Sequence, residues 1–168
     1  MELPMRKDAR LKNYNYSSNG AYFLTLCVKD RHEILWDDAS VGAACGRPSS
    51  GLILSEIGKT IVAEINKIEE IYGTVKIDKY VIMPNHVHMI ISLCGTMDED
   101  GRPQAAPTIS RIINKFKGSI TKQIGYSIWQ KLFYDHVIRN ETEYQKICQY
   151  TEENPMKWAE DKYNRNNV

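Results

Sequence analysis

The sequence predicts one α+β domain of the ferredoxin-like, split βαβ type, spanning residues 1–168. The apolar residues alternate between strand-like and helix-like spacing in the order strand, helix, strand, strand, helix, strand, helix. The chain of 168 residues, with 42% hydrophobic residues and a formal net charge of +1, is long enough to bury one core. We therefore expect an antiparallel sheet with helices on one face, plus a C-terminal helix.

The first strand and the first helix follow a basic N-terminal arm, residues 1–20. Residues 21–29 are rich in aromatic and β-branched side chains, which are typical of a strand. From Ser55 onward the apolar residues recur at helical spacing, and the Ser55 hydroxyl suits the N-cap position. These features predict a strand and then an amphipathic helix.

The next two strands, residues 75–83 and 86–93, are joined at Pro84-Asn85, a dipeptide suited to a tight turn. His86 and His88 are two residues apart on the second of these strands, so both imidazoles point to the same face. They are either metal ligands or buried histidines with ordinary hydrogen-bond partners. The apolar flanks favour the metal pair, because two buried rings without partners would cost free energy.

The second half of the chain repeats the helix and strand pattern. Residues 94–107 are polar and contain glycine and proline, which predicts a surface loop. A helix is expected from about Thr108, and a last strand over residues 129–138. Asn140, with Glu143 three residues later, resembles a capping box and predicts the start of the final helix.

The final helix presents a tyrosine away from its apolar stripe. Tyr150 projects off that stripe, and Asn154 lies one turn later on the same side, so a hydroxyl and an amide are expected together. Pro155 ends the helix at about that point. Tyr134 and Tyr144 are assigned to packing. The stripe expected to face the core consists of Tyr144, Ile147, Cys148 and Thr151.

Two basic segments are candidates for contact with nucleic acid, since cations interleaved with aromatic rings suit a phosphate backbone and its bases. The alternative for each segment is a solvated charged surface. The low net charge argues against nonspecific coating of duplex DNA. The candidates in the arm are Arg6, Lys7, Arg10, Lys12 and Tyr16, and those on the second helix are Arg111, Lys115 and Lys122.

Cysteine usage and hydropathy predict a reducing, cytoplasmic location. The four cysteines are widely spaced and include no Cys-x-x-Cys pair, so neither a zinc knuckle nor a disulfide framework is indicated. Residues 1–12 lack the apolar centre of a signal peptide. No apolar run reaches the roughly 18 residues that a membrane span requires.

Three strings together resemble the single-tyrosine HUH transposases, and within them the REP-associated tyrosine transposases. These are residues 83–88 (MPNHVH), 129–141 (WQKLFYDHVIRNE) and 149–155 (QYTEENP). A lone His-x-His would be a weak signal, but the combination and the spacing from tyrosine to Asn-Pro are specific. The resemblance extends over nearly the whole chain and implies the same ferredoxin-like fold.

The resemblance implies that His86, His88 and Asn154 bind a divalent ion, Mg²⁺ or Mn²⁺, and that Tyr150 is the nucleophile. Proteins of this kind cleave single-stranded DNA beside palindromic hairpins, leaving a 5′-phosphotyrosine and a free 3′-hydroxyl. It also implies that the basic arm contacts the base of the hairpin. His136 recurs in the resembling string and is either close to the site or hydrogen-bonded to the backbone.

Three functions remain open at this point. The first is DNA nicking and strand transfer through Tyr150, in the cytoplasm and associated with the nucleoid. The second is a domesticated, sequence-specific DNA-binding protein with little catalysis. The third is a metal-dependent hydrolase in which water is the attacking group. The protein is expected to be a monomer or a homodimer, with Tyr150 acting in cis or in trans.

Overall fold

The computed structural model describes residues 19–37, 53–95 and 107–164. Most of the predicted arm (1–20) and of the predicted loop (94–107) therefore lies outside the described residues. The assignment of residues 1–168 to one domain stays a prediction. Also outside the described residues are the DNA contacts predicted for Arg6, Lys7, Arg10, Lys12 and Tyr16.

Four strands form one antiparallel sheet in the order β2-β3-β1-β4. They are β1 (Gly20–Cys27), β2 (Val75–Ile82), β3 (His86–Leu93) and β4 (Tyr134–Ile138). The predicted hairpin between β2 and β3 is confirmed, because the Met83 N–H donates a hydrogen bond to the His86 carbonyl across Pro84-Asn85 at 2.8 Å. The two central strands, β3 and β1, are shielded on both edges by neighbours, as their apolar sequences require.

Three α-helices begin where the sequence predicted: α1 (Glu56–Ile71), α2 (Ile109–Ile124) and α3 (Glu141–Glu153). In each case the side-chain oxygen of the N-cap, Ser55, Thr108 or Asn140, accepts a hydrogen bond from the backbone N–H three residues later. A 3₁₀ segment (Asn154–Glu160) continues from α3. Within the described parts of the chain, none of the helices combines the length and apolar character needed to cross a bilayer.

The two faces of the sheet have different partners. Along β1, Leu24 and Leu26 belong to the apolar core that also contains the buried residues of α1 and α2, whereas Phe23 and Thr25 line a pocket with residues of α3. Side chains alternate along a strand, so α1 and α2 cover one face and α3 lies against the other. A largely exposed ion pair between Lys79 of β2 and Glu152 of α3 also connects the helix to the sheet. The predicted fold class, with a separate C-terminal helix, is confirmed.

The last strand is shorter than predicted. Residues 129–138 were expected to be extended throughout, but Trp129 forms only an isolated bridge with Val28, and β4 begins at Tyr134. Trp129 pairs with Val28, and Tyr134 pairs with Thr25. Four residues lie between Trp129 and Tyr134 in the chain, but only two lie between Thr25 and Val28. The two extra residues cannot stay in register and leave the ladder. Strand-like composition therefore overestimated the length of β4.

Candidate active site

His86 and His88 lie side by side on the α3 face of β3, as their spacing predicted. Both are buried because β3 is a central strand, with 0% and 1% of their surfaces exposed. Their ring centroids are 4.5 Å apart, and their Nε2 atoms are separated by 3.0 Å. The two nitrogens thus converge on one point at the bottom of the site.

Asn85 determines which nitrogen of His86 carries the proton. The Asn85 amide nitrogen donates to the carbonyl of Tyr163 at 2.8 Å and lies 3.3 Å from the carbonyl of Arg31. Its oxygen therefore faces His86 Nδ1, at 2.8 Å, and can only accept. His86 must carry its proton on Nδ1, which leaves a lone pair on Nε2 that points toward His88.

Thr25 holds the second imidazole from the neighbouring strand. Its hydroxyl lies 2.8 Å from His88 Nδ1, and a hydroxyl can either donate or accept. When His88 donates from Nδ1 to Thr25, both histidines direct Nε2 lone pairs toward the same point. A partner on the far nitrogen is the arrangement that orients metal-binding imidazoles in proteins.

The environment keeps both rings neutral. Burial lowers the pKa of His88 to about 3, and the charge of Lys162 acts in the same direction. Burial, together with His88, Lys162 and Arg31, also lowers the pKa of His86 well below its ordinary value. Neutral imidazole is the form that binds metal ions, so the pair is available as ligands at neutral pH.

Asp161 adds a carboxylate to the histidine pair. Its Oδ2 lies 4.0 Å from His86 Nε2, and ligand atoms of Asp161, His86 and His88 all lie within 4.8 Å of one another. The other carboxylate oxygen accepts a hydrogen bond from the Tyr163 N–H at 2.7 Å. Two imidazoles and a carboxylate form an open donor set that fits a divalent ion. Sequence reasoning missed Asp161, because nothing distinguishes it from the other 20 acidic residues.

Tyr150 stands next to this cluster. Its ring centroid is 5.5 Å from that of His88 and 6.1 Å from that of Phe23, and 43% of the residue is exposed. Burial raises the pKa of the Tyr150 hydroxyl, the Asn154 amide opposes this rise as a donor, and Asp161 adds to it. A phenolate at Tyr150 would therefore need further positive charge, such as a metal ion supplies.

Asn154 lines the same pocket but is only 3% exposed. It was expected on the same side of the helix as Tyr150, and both residues do line this pocket, with Asn154 at the point where α3 gives way to the 3₁₀ segment. Its Nδ2 has no partner with ordinary hydrogen-bond geometry among the described residues. The amide therefore interacts with Tyr150 but makes no well-formed hydrogen bond, so it can still donate to a bound group.

The pocket above these residues opens between β1, β4 and α3, with a volume of about 630 Å³. His136, expected either near the site or bonded to the backbone, lines this pocket and contacts the Glu143 carboxylate at 2.7 Å. Its partner at Nε2 is a carboxylate and not the backbone. Tyr134, assigned to packing, also lines the pocket and is 53% exposed, so that assignment is wrong.

The cations predicted on the second helix do not belong to this pocket. Arg111, Lys115 and Lys122 are exposed on α2 and border a separate open groove. The groove is also lined by Ser110, Ser119 and other polar residues of α2. Because α2 covers the face of the sheet opposite α3, these cations and Tyr150 lie on different sides of the molecule.

Comparison with known proteins gives the fold and one relative. The chain matches no protein-family model. It is 31% identical to an uncharacterized protein of Haemophilus influenzae over 173 aligned residues, which cover 93% of this chain and 91% of the relative. Its structure is similar to that of the REP-associated tyrosine transposase bound to a REP hairpin. That match has a TM-score of 0.62 and 22% identity, over 91% of this chain and 76% of the other. The chain therefore belongs to one family with the Haemophilus influenzae protein, and it has the fold of the REP-associated tyrosine transposase.

Proposed function

We propose that the protein is a metal-dependent nuclease and strand transferase for single-stranded DNA, with Tyr150 as its nucleophile. The main support for this proposal is the position of Tyr150. Its ring centroid lies 5.5 Å from that of His88, in an open pocket beside the buried cluster of His86, His88 and Asp161, whose side chains are typical metal ligands. The structural neighbour was solved with a REP hairpin, which supports a hairpin-containing DNA as the substrate class.

In the proposed reaction the Tyr150 oxygen forms a bond to the scissile phosphorus, and the bond from phosphorus to the 3′-oxygen breaks. The phenolic proton is lost to solvent, and the departing 3′-oxygen takes up a proton to become a free hydroxyl. The 5′-phosphate stays on Tyr150 as a phosphodiester. Attack by another 3′-hydroxyl reverses this step and joins a different end, so strand transfer needs no nucleotide cofactor.

We propose His86, His88 and Asp161 as the residues that hold a divalent ion, Mg²⁺ or Mn²⁺. Such an ion would supply Lewis acidity at the phosphate and positive charge for the phenolate. Asn154, the expected third ligand, keeps a place in this scheme. Its amide has both an oxygen, which can face the ion, and an Nδ2 group, which can donate to the Tyr150 oxygen.

The same proposal assigns the remaining basic residues to the DNA backbone. The α2 groove with Arg111, Lys115 and Lys122 has no acidic residue in its lining, which suits phosphates. The arm with Arg6, Lys7 and Arg10 is proposed to contact the hairpin, as the resemblance implies. A protein acting in this way would be found with the nucleoid in the cytoplasm.

The proposal is tested with labelled single-stranded DNA that contains a hairpin and an unpaired flank, incubated with Mn²⁺ and separated by denaturing electrophoresis. The wild type should give a protein-linked band, and Tyr150→Phe should give none. Tyr126→Phe, at an exposed tyrosine outside the pocket, is the matched control and should behave as the wild type. Tight binding without any adduct would favour the DNA-binding protein. Undiminished cleavage by Tyr150→Phe would favour attack by water.

A further inference from the structure

Tyr134 lies in the same cross-strand row of the sheet as His88 of the metal-ligand cluster. It pairs with Thr25 on β1, and Thr25 pairs with His88 on β3. Directly paired residues point to the same face, and neighbouring strands are about 4.8 Å apart. The side chains of Tyr134, Thr25 and His88 therefore form one row across the sheet, with roughly 10 Å between the two outer Cα atoms.

Tyr134 occupies the open end of this row. β4 is an edge strand, and 53% of the tyrosine is exposed although it lines the same pocket as Tyr150. The inner end of the row has the opposite character, because Thr25 and His88 are 2% and 1% exposed. An aromatic ring on the accessible rim of the pocket is not required for the core.

The position suits a nucleobase. Bases of single strands stack on exposed aromatic rings, and every base has a face that can do so. A strand with one phosphate between Tyr150 and His88 would have a neighbouring base within reach of the rim at Tyr134. His136, two residues along β4 on the same face, is tied to Glu143 and so is less available for stacking.

We propose that Tyr134 binds the base of an unpaired nucleotide next to the phosphate that Tyr150 attacks, and so positions the strand for cleavage. The ligand is a single-stranded nucleic acid, recognised by stacking rather than by hydrogen bonds to base edges. This inference rests on the proposed function of the pocket. Tyr134 acts here as a positioning residue, since the bond-forming atom belongs to Tyr150.

The test uses oligonucleotides in which 2-aminopurine replaces one base at a time in the unpaired flank, bound to Tyr150→Phe so that no cleavage occurs. Stacking should quench the fluorescence at one position near the cleavage point. Adding Tyr134→Ala should abolish that quenching and weaken binding by about 5- to 150-fold, the equivalent of about 1–3 kcal/mol. Adding Tyr134→Phe instead should preserve both, because the ring remains.

Tyr126→Ala is the matched control, since Tyr126 is 57% exposed and lies outside the pocket lining. Unchanged quenching in Tyr134→Ala, or an equal loss in Tyr126→Ala, would overturn the inference. In the background with Tyr150 intact, Tyr134→Ala should raise KM more than it lowers kcat. If the wild type forms the adduct but no position shows quenching, the stacking inference is rejected and the proposed nuclease function stands. If quenching is seen but the wild type forms no adduct, only the nuclease function is rejected. Absence of DNA binding would reject both.

Discussion

The orientation of His86 depends on one buried amide. Asn85 is 1% exposed and contacts His86 Nδ1 and the carbonyls of Arg31 and Tyr163. It thus joins the imidazole to the chain segment that carries Asp161. Partners of this kind fix the tautomer of a metal-binding histidine, and their loss typically weakens metal binding by about 10- to 100-fold.

We therefore expect Asn85→Ala to reduce affinity for Mn²⁺ by about 10- to 100-fold, because His86 loses the acceptor that holds its proton on Nδ1. Titration of Mn²⁺ followed by electron paramagnetic resonance measures this without any dependence on cleavage. Asn114→Ala, at an exposed asparagine of α2, should leave the affinity unchanged. Equal affinity in Asn85→Ala and the wild type would show that Asn85 has no part in ligand orientation.

A second prediction concerns the contribution of Asp161 to metal binding. Asp161→Asn removes the negative charge from the donor set while keeping its shape, so Mn²⁺ affinity should fall at least about tenfold. The neighbouring Glu160 is exposed, and Glu160→Gln serves as the control with the same chemical change. Calorimetric titration of the two variants compares them. If Asp161→Asn binds Mn²⁺ as tightly as Glu160→Gln does, Asp161 is not a ligand.

Part of this residue-level arrangement could be predicted from sequence. The histidine pair follows from strand alternation, and the exposure of Tyr150 follows from its position off the helical stripe. Asp161 approaches the histidines from more than 70 residues away in the chain, beyond a 3₁₀ segment. No local periodicity relates positions that far apart, so the carboxylate was found only in three dimensions.

Among the elements, the packing of α1 on α2 includes a buried charge. Glu64 of α1 is 5% exposed and accepts hydrogen bonds from Lys67 at 2.6 Å and from Gln123 of α2 at 2.8 Å. Burial raises the pKa of Glu64, but hydrogen bonds from Lys67, Ser119 and Gln123 outweigh it, and the net pKa is lowered. The carboxylate thus links two helices that also share the apolar core.

Glu64→Ala should lower the free energy of unfolding by about 1–3 kcal/mol, because it removes the hydrogen bonds that the buried, charged carboxylate accepts from Lys67 and Gln123. The same helix contains a control: Glu56 pairs with Lys59 at the same 2.6 Å distance and the same spacing, but its side chain is 89% exposed. Glu56→Ala should therefore have no measurable effect. Urea unfolding at pH 7 compares the variants, and equal stability of the two would refute the role of burial.

The pH dependence of the Glu64 contribution has a definite sign. A carboxyl group whose pKa is lowered by folding stabilises the protein above its unfolded-state pKa and loses that effect as the pH falls through the folded-state value. The stability difference between the wild type and Glu64→Ala should therefore be full at neutral pH. It should shrink below about pH 4, where glutamate ordinarily takes up a proton.

Element order and helix starts were predictable because capping residues and apolar periodicity are local signals, as Ser55 and Thr108 illustrate. The length of β4 was not, since a strand needs a partner in register. Residues 130–133 have strand-like composition, but β1 offers them no continuous ladder. Pairing is a property of two segments and cannot be read from one of them.

For the molecule as a whole, the sheet separates two surfaces. The pocket with Tyr150 lies on one side, and the α2 groove with Arg111 lies on the other. Which face α3 would cover could not be predicted, because its amphipathic pattern indicates burial and not a partner. Within one chain, the ring centroids of Tyr150 and His88 are 5.5 Å apart. This short distance supports the proposal that the tyrosine acts in cis.

A mixing experiment tests this arrangement. Tyr150→Phe lacks the nucleophile and His88→Ala lacks a proposed ligand, so neither alone should form an adduct. If the tyrosine acts in cis, an equimolar mixture of the two should also form none, whatever the oligomeric state. Recovery of about one quarter or more of the wild-type adduct, as random pairing of subunits would allow, would show that Tyr150 serves the histidines of a second copy.

In the proposed reaction, Tyr150 becomes covalently bonded to the 5′ end of the cleaved DNA. The most direct measurement is to trap the adduct with hairpin DNA, remove most of the DNA with nucleases, digest the protein and locate the residual nucleotide by mass spectrometry. A nucleotide phosphate should be found on the peptide that contains Tyr150 and on no other. Attachment to another residue, or cleaved DNA with a free 5′-phosphate and no modified peptide, would contradict the proposed reaction.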